Sequence, residues 1–320
     1  MYSPVKPMHI PDGFLSTLVS VVFWVVSAIA VAYALRRVGK ELGERQVPMM
    51  GVLAAAIFAG QMLNFSVTGG TSGHLLGAAL ASILVGPWAA VVVMTSVVSL
   101  QALVFQDGGL LALGANLFNM AIVGVTVSYF VYTSVQKLAG GKSWGIFSGG
   151  ALAAWMSIVI ASLACALELA ISGTSPANIS VPAMGGIHML IGLGEAGITV
   201  GALAFLHAAR RDLLHNGEVP PKGSKVIWFG GLTIAALLAT LSPLASAHPD
   251  GLEWVAGQQG FLKAARAPLY KLLPDYIFPG IHNQVLATIL AGIFGTLLVF
   301  GAVWGVATWR RKKDRNEPQL

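Results

Sequence analysis

Histidine is the residue type in this chain best suited to chemistry. Seven histidines stand among 320 residues that hold a single cysteine, Cys165, so neither a disulfide framework nor a CxxC metal or redox site can be built. His9 lies in the polar, proline-stiffened run Met8-His9-Ile10-Pro11-Asp12-Gly13, and His74 follows Thr71-Ser72-Gly73. His188 precedes Glu195 by seven residues, a helical spacing that returns to within about 20° of the same face, about 10 Å further along. Neutral imidazole is a common ligand for nickel, cobalt, zinc and copper, and three imidazoles gathered beneath one membrane face could hold such an ion. A lone membrane histidine is more often a hydrogen-bonded packing residue, so pattern alone makes none of these a ligand.

Other chemistry is missing from the sequence. It has no GxSxG, no HExxH, no P-loop and no Rossmann fingerprint, and Gly69-Gly70 and Gly108-Gly109 read as turns. If a nucleotide drives this protein, another subunit must bring it. Glu168 and Glu195 would cost about 2.5–3.5 kcal/mol each at the centre of a membrane helix and are functional candidates by default. Glu168 lies close enough to a predicted surface to snorkel. Asn116 and Asn119 read as interhelical glue, and Asp12 as a cap for the turn into the first helix. Ala28 and Ala32, beside Ala30 and Ala34, form a small-residue face suited to another helix.

The elements that must position these residues follow from composition. A soluble domain is about 25% charged; this chain is 10% charged and 56% hydrophobic, with a mean hydropathy of +0.76. The predicted fold class is all-α, a polytopic membrane helical bundle. The 38 glycines show no collagen-like period and read as close packing between membrane helices. A hydrocarbon core about 30 Å thick takes about 20 apolar residues at 1.5 Å each. Apolar runs between polar breaks predict about nine transmembrane helices, seven plus two, near 15–35, 48–66, 73–86, 88–106, 110–136, 145–172, 184–209, 226–246 and 286–309. The third and fourth, joined only by Gly86-Pro87, can equally form one kinked hairpin or a re-entrant pair.

Charge placement orients the bundle. Basic clusters follow the first span (Arg36, Arg37, Lys40, Arg45), the fifth (Lys137, Lys142), the seventh (Arg210, Arg211, Lys222, Lys225) and the ninth (Arg310 to Arg315). Nine alternating spans put all of these on one side and leave Lys6, Lys263, Arg266 and Lys271 on the other. The net charge of +6 is thus a topology signal, and nucleic acid drops out as a partner. The reading is a multi-pass protein of a prokaryotic inner membrane, set in lipid, with its N-terminus outside and its C-terminus cytoplasmic. Residues 1–212 form a seven-span unit, 213–225 a cytoplasmic linker, and 226–320 a two-span module around an outer loop at 247–285. Lys222, Lys225, an apolar stretch and Ala245-Ser246-Ala247 resemble a secretory signal with its cleavage site. In mid-chain the segment reads as a helix retained from a once-separate subunit, with cleavage the lesser alternative.

The run from Met8 to Leu15 resembles the opening of the CbiM/NikM family, the substrate-binding (S) components of cobalt and nickel energy-coupling factor transporters. Gly69-Gly70-Thr71-Ser72-Gly73-His74-Leu75-Leu76-Gly77, Gly114-Ala115-Asn116 and Gly186-Ile187-His188, running on to Glu195-Ala196, are similar to it too. Pro249-Asp250-Gly251-Leu252-Glu253, with Pro274-Asp275-Tyr276 and Pro279-Gly280, resembles the small PDGLE-type (CbiN/NikN-like) subunit. The resemblance implies an S component fused to its accessory partner. It implies a metal site made by the amino-terminal amine of Met8, the backbone nitrogen and imidazole of His9, and the imidazole of His74. Amine, deprotonated amide and second-residue imidazole chelate in one plane, and a second imidazole, as fourth donor, closes a square that suits Ni(II), Cu(II) or low-spin Co(II). Asp12, His188, Glu195 and Asn116 are read as residues that support the ligands or line the ion's route. The sequence departs from the pattern at one point: Met1 to Pro7 precede Met8, which then carries an amide and no free amine. A start at Met8 is the favoured reading; removal of the extension, or a second deprotonated amide as donor, are the alternatives.

The expected function is capture of Co(II) or Ni(II), as transported substrate rather than catalytic cofactor, by a chain that is not an enzyme. The resemblance implies two kinds of partner, a transmembrane coupling (T) subunit and cytoplasmic ATPases. Two competing readings remain. One is an ion-coupled secondary transporter with Glu195 and Glu168 as a proton relay; the other is a membrane metalloenzyme with zinc on His74, His188 and Glu195. One nitrogen set accepts cobalt or nickel, so the sequence does not choose between them.

Overall fold

The computed structural model describes residues 9–41, 46–214 and 224–316. The chain is a helical bundle. Among the described residues six helical runs are long and apolar enough to cross a membrane: α1 (Thr17–Glu41), α4 (Pro87–Leu100) with its continuation to Phe105, the run α5–α6 (Leu113–Leu117, Gly124–Leu138), α7 (Ser143–Ile171), α8 (Ala177–Ala209) and α11 (Gln284–Asn316). α4 continues through a π-turn at Gln101–Phe105, and a second π-turn at Phe118–Val123 joins α5 to α6. Two shorter apolar helices, α2 (Gln46–Gln61) and α9 (Ser224–Leu241), complete the scaffold with the eight-residue α3 (Ala78–Val85).

The third predicted span is corrected. At about 1.5 Å per residue α3 is about 12 Å long and cannot cross a bilayer by itself. The predicted loop between the second and third spans, with the span residues that border it, forms a small antiparallel hairpin, β1 (Phe65–Val67) and β2 (Thr71–Gly73), so the fold is not purely α. The physical cause is local. Gly77 adopts φ 82° just before α3 and Gly86 adopts φ 77° just after it, and Pro87 then opens α4 as a first-turn proline. The predicted loop at 247–285 also carries a helix, α10 (Gly251–Gln259), whose N-cap Asp250 accepts from the Glu253 N–H. α8 begins at Ala177, ahead of the expected 184, with Pro182 inside its first turns.

Packing places α2 at the centre. It is buried along most of its length between α4, α9 and α11, so the last two apolar helices, α9 and α11, lie against the first part of the chain. α7 packs between α6 and α8. α1 lies at the periphery with Val21, Val25 and Ile29 exposed, and Ala28 and Ala32 are on its exposed surface as well.

Candidate metal centre

The loop that carries His9 is held in place by backbone-directed hydrogen bonds. Asp12 does not cap α1. Its carboxylate accepts from the amides of Leu110 (3.1 Å), Leu111 (2.8 Å) and Ala112 (3.0 Å), at the start of the turn into α5, where a negative charge is favoured. Asn116 clamps the residue after His9 from both sides: its oxygen accepts from the Ile10 N–H (3.0 Å) and its amide donates to the Ile10 carbonyl (3.1 Å). Gly108 and Gly109 make this approach possible. A Cβ at Gly109 would stand 2.0 Å from the Asp12 carboxylate, and one at Gly108 2.9 Å from the Cβ of His9. Two glycines that read only as a turn are therefore the seat of the histidine loop.

His9 is 6% exposed. Its Nδ1 faces Asp107, 3.0 Å from the carboxylate and 3.1 Å from the carbonyl oxygen. The other carboxylate oxygen of Asp107 accepts from the Tyr276 hydroxyl at 2.5 Å. Burial works against charge on His9, but the adjoining Asp107 outweighs it and leaves the imidazole pKa above its ordinary value. Burial, reinforced by Asp107, pushes the Tyr276 hydroxyl well up, so it stays a donor. His9 Nε2 is buried and has no hydrogen-bond partner among the described residues.

His74 sits on the connection between β2 and α3, not inside a span. Its Nδ1 is 3.0 Å from the Leu75 carbonyl, and its ring meets His9 edge-on with centroids 5.8 Å apart. Glu195 supports this segment. Its two oxygens accept from the amides of Leu76 (2.7 Å) and Gly77 (3.0 Å), closing the N-terminus of α3 just beyond His74. His188, on α8, has Nδ1 2.8 Å from the Met184 carbonyl. All three histidines thus turn Nδ1 to an oxygen, and all three line one cavity of about 90 Å³ together with Asn116, Cys165 and Asp250. Fixing one ring nitrogen in this way sets which nitrogen is left to bind.

The PDGLE segment closes over that cavity. The Pro249 carbonyl accepts from the Ser72 N–H at 2.8 Å, which makes the segment an extra strand partner for β2. Trp254 donates to the Gly69 carbonyl at 3.0 Å. Burial pushes the Asp250 carboxyl up to about 8. Asp250 and His9 also line an adjoining cavity of about 170 Å³ whose wall includes Asp12, Glu253 and Arg266.

Several expected groupings are not formed. Glu195 is spent on backbone amides and does not line the histidine cavity. Glu168 does not snorkel: it is buried and accepts from the Asn119 amide at 2.9 Å. Among the described residues no three His, Cys, Asp or Glu side chains form a group able to hold a metal, so the His74–His188–Glu195 zinc cluster is not assembled. Met8 lies outside the described residues. Asp107, Tyr276 and Asp250 were invisible as site residues in the sequence. The one available signal for Asp107 was an acid directly before Gly108-Gly109 at the end of an apolar run.

Residues 9–213 match the family described as the cobalt uptake substrate-specific transmembrane region, CbiM, and residues 225–312 match the PDGLE domain. A fused NikMN chain of Archaeoglobus fulgidus is 36% identical over 307 residues, 95% of this chain and 99% of that one. The fused nickel transport protein NikMN of Rhodobacter capsulatus is 29% identical over 336 residues, 92% of this chain and 96% of that one. A solved structure of a transition metal transporter is similar with a TM-score of 0.57 and 31% identity, over 69% of this chain and 99% of that one. These relatives are named for transport rather than for catalysis, and the apolar helices agree with a multi-pass membrane protein. The chain belongs to the CbiM family of substrate-specific transmembrane proteins and carries a PDGLE domain behind that region.

Proposed function

We propose that this protein captures Co(II) or Ni(II) as the substrate-binding component of an energy-coupling factor importer. His9 and His74 supply imidazole donors, and the backbone nitrogens of Met8 and His9 complete the set. Asp12, Asn116 and Glu195 hold the two histidine segments, and His188 lines the ion's cavity. The observation that carries this reading is the pair of imidazoles, 5.8 Å apart at the edge of one cavity, in a chain of this family. Two imidazoles at that separation can share one ion, because each ring centroid lies about 3 Å from a metal bound at about 2.0–2.1 Å from its nitrogen.

In this reading residues 1–212 are a seven-span capture unit and 226–320 a two-span accessory module, with the N-terminus outside and the C-terminus in the cytoplasm. A transmembrane coupling subunit and cytoplasmic ATPases provide the driving force, since the chain has no nucleotide motif of its own. Two contacts support this reading over the ion-coupled one: Glu195 accepts from the amides at the start of α3, and Glu168 accepts from Asn119.

The test is metal analysis of the purified chain together with uptake in cells. His9→Ala and His74→Ala are expected to abolish tight Ni(II) and Co(II) binding while the protein stays folded in detergent, and uptake is expected to vanish when the partner ATPases are deleted. Unchanged stoichiometry and affinity in both variants would remove these histidines from the site. Uptake that persists without the ATPases would favour the ion-coupled reading.

A further inference from the structure

Segment 261–273, within the PDGLE match, turns leucines outward. Leu269 is 87% exposed, Leu272 56% and Leu262 42%. A cluster of exposed apolar side chains marks a surface that meets a protein or a membrane. The segment is pinned to one end of a spanning helix. Tyr270 donates its hydroxyl to the Leu103 carbonyl at 2.7 Å, and the Leu273 N–H donates to the Val104 carbonyl at 3.0 Å. The Leu272 N–H donates to the Gln106 side-chain oxygen at 3.1 Å. Leu103 and Val104 close the apolar run Pro87–Phe105, and Leu103 is itself exposed. These bonds set Leu269 and Leu272 at the level where that run leaves the hydrocarbon.

Charge and continuity indicate which surface the leucines meet. The segment holds three exposed bases, Lys263, Arg266 and Lys271, and no acid; Asp275 follows it and attracts Lys271. Leucines flanked by cations suit a leaflet of anionic phospholipid, whose chains take the leucines and whose phosphates take the bases. Tyrosine is enriched at the same boundary. The patch is also continuous with Leu103, which faces outward from a helix of membrane length, and this favours lipid over a protein partner. The backbone limits the depth. Pro268 lacks an N–H, and beyond the single turn Leu262–Ala264 the segment is irregular, so its unpaired amides must stay among the headgroups. Only side chains reach the hydrocarbon.

We propose that segment 261–273 is an interfacial anchor: Leu269 and Leu272 enter an anionic phospholipid leaflet at the histidine end of the bundle, and Lys263 and Lys271 meet its phosphates. The anchor bears on the cavity of about 170 Å³ beside His9, because Leu262, Arg266, Leu269 and Tyr270 line it. The leaflet then holds one wall of that cavity in place. Docking to lipid does not depend on which residues bind the metal.

The experiment uses the full 320-residue chain in lipid nanodiscs, with a fluorophore attached through Ala267→Cys, an exposed position of the segment. Cys165 is buried and stays in place, and the parent chain serves as the labelling blank. In discs of equal parts phosphatidylcholine and phosphatidylglycerol, the label is expected to be quenched by lipid-borne nitroxide and shielded from aqueous acrylamide. Leu269→Ser with Leu272→Ser is expected to lose the lipid quenching and gain the acrylamide quenching. Lys263→Gln with Lys271→Gln is expected to reduce lipid quenching in the mixed discs. All four side chains are exposed, so both double variants are expected to keep the parent unfolding temperature in detergent. A label open to acrylamide and untouched by lipid nitroxide in the parent would overturn the anchor, as would unchanged quenching in the leucine variant. Shielding from both quenchers would mean a protein cover and would overturn it too. Equal quenching in discs of phosphatidylcholine alone, with no effect of the lysine variant, would overturn the anionic leaflet as the partner.

Discussion

Gly251 lies against His188. A Cβ at Gly251 would stand 2.8 Å from Cε1 of the imidazole and 3.0 Å from Nε2, closer than side-chain carbons come to such atoms. Its conformation is ordinary helix, so the glycine is required by this contact and not by backbone freedom. The first residue of α10 thereby forms part of the wall of the histidine cavity, beside His188. Gly251→Ala is expected to lift the 248–254 segment or turn His188, and so to speed release of bound Ni(II) with little change in overall stability. Stopped-flow chelator competition measures the rate. An unchanged release rate would mean that the segment does not retain the ion.

Glu195 gives a second prediction, one that separates a cap from a proton relay. Glu195→Gln keeps one acceptor but places an amide donor against the N–H of Leu76 or Gly77. Leaving a buried donor unsatisfied costs about 1–3 kcal/mol. The expected result is a lower unfolding temperature in detergent and weaker Ni(II) binding, because His74 is on the segment that α3 anchors. A relay residue would behave otherwise: metal binding and stability would survive and only uptake would be lost.

These two residues also mark how far the sequence could be read. The long helices were legible because an apolar run of membrane length leaves no other option. The histidine loops stood out because His9 and His74 sit in polar, glycine-rich motifs at the ends of such runs. The role of Glu195 was not legible. Its seven-residue spacing from His188 was correct as helical geometry, but only the fold brings the N-terminus of α3 to its carboxylate. The short α3 escaped for a related reason: Gly77 and Gly86 look like packing glycines until their positive φ angles are seen. Asp107 and Tyr276 are 169 positions apart, and no local pattern records that they meet.

The peripheral α1 supplies a third prediction. Ala28 and Ala32 are exposed on a helix whose neighbours cover only part of its circumference. Small residues let helix backbones approach, so this face fits a partner helix. Ala28→Leu together with Ala32→Leu is expected to reduce co-purification of the coupling subunit while Ni(II) affinity of the isolated chain is unchanged. Normal co-purification would move the partner interface elsewhere.

The charge state of His9 sets a pH dependence. Burial opposes the imidazolium, but Asp107 outweighs burial and holds the pKa above 6.5. For folding, the sign is that this group contributes fully below 6.5 and its contribution is lost as pH rises through the raised value. For metal the sign is opposite, since a coordinating imidazole must be neutral and each bound ion expels a proton on the acid side. Ni(II) affinity is expected to fall by about tenfold per pH unit there, while the His9 loop is held more firmly. Titrations from pH 5 to pH 8 would reveal this, and a flat profile would argue against His9 as a ligand.

The last prediction concerns the residues ahead of Met8. If a terminal amine is a donor, a chain beginning at Met8 should bind Ni(II) at least as tightly as one that retains Met1 to Pro7. The longer chain offers an amide at Met8, which must lose a proton to coordinate, whereas an amine with a pKa of about 7.7–8.0 gives up far less. The difference should shrink as pH rises. The contact between His9 and Asp107 sharpens the comparison. A planar chelate uses His9 Nδ1, the nitrogen that faces Asp107 at 3.0 Å, so the shorter chain can close it only by turning the ring away. Asp107→Asn removes the charge that faces Nδ1 and is therefore expected to leave the shorter chain's affinity unchanged or tighter. Intact mass shows which form the cell makes, and Ni(II) titration of both forms with and without Asp107 reads the effect. Equal affinities of the two forms at neutral pH, with the same response to Asp107→Asn, would exclude the amine as a donor and leave His9 and His74 as the side chains that bind.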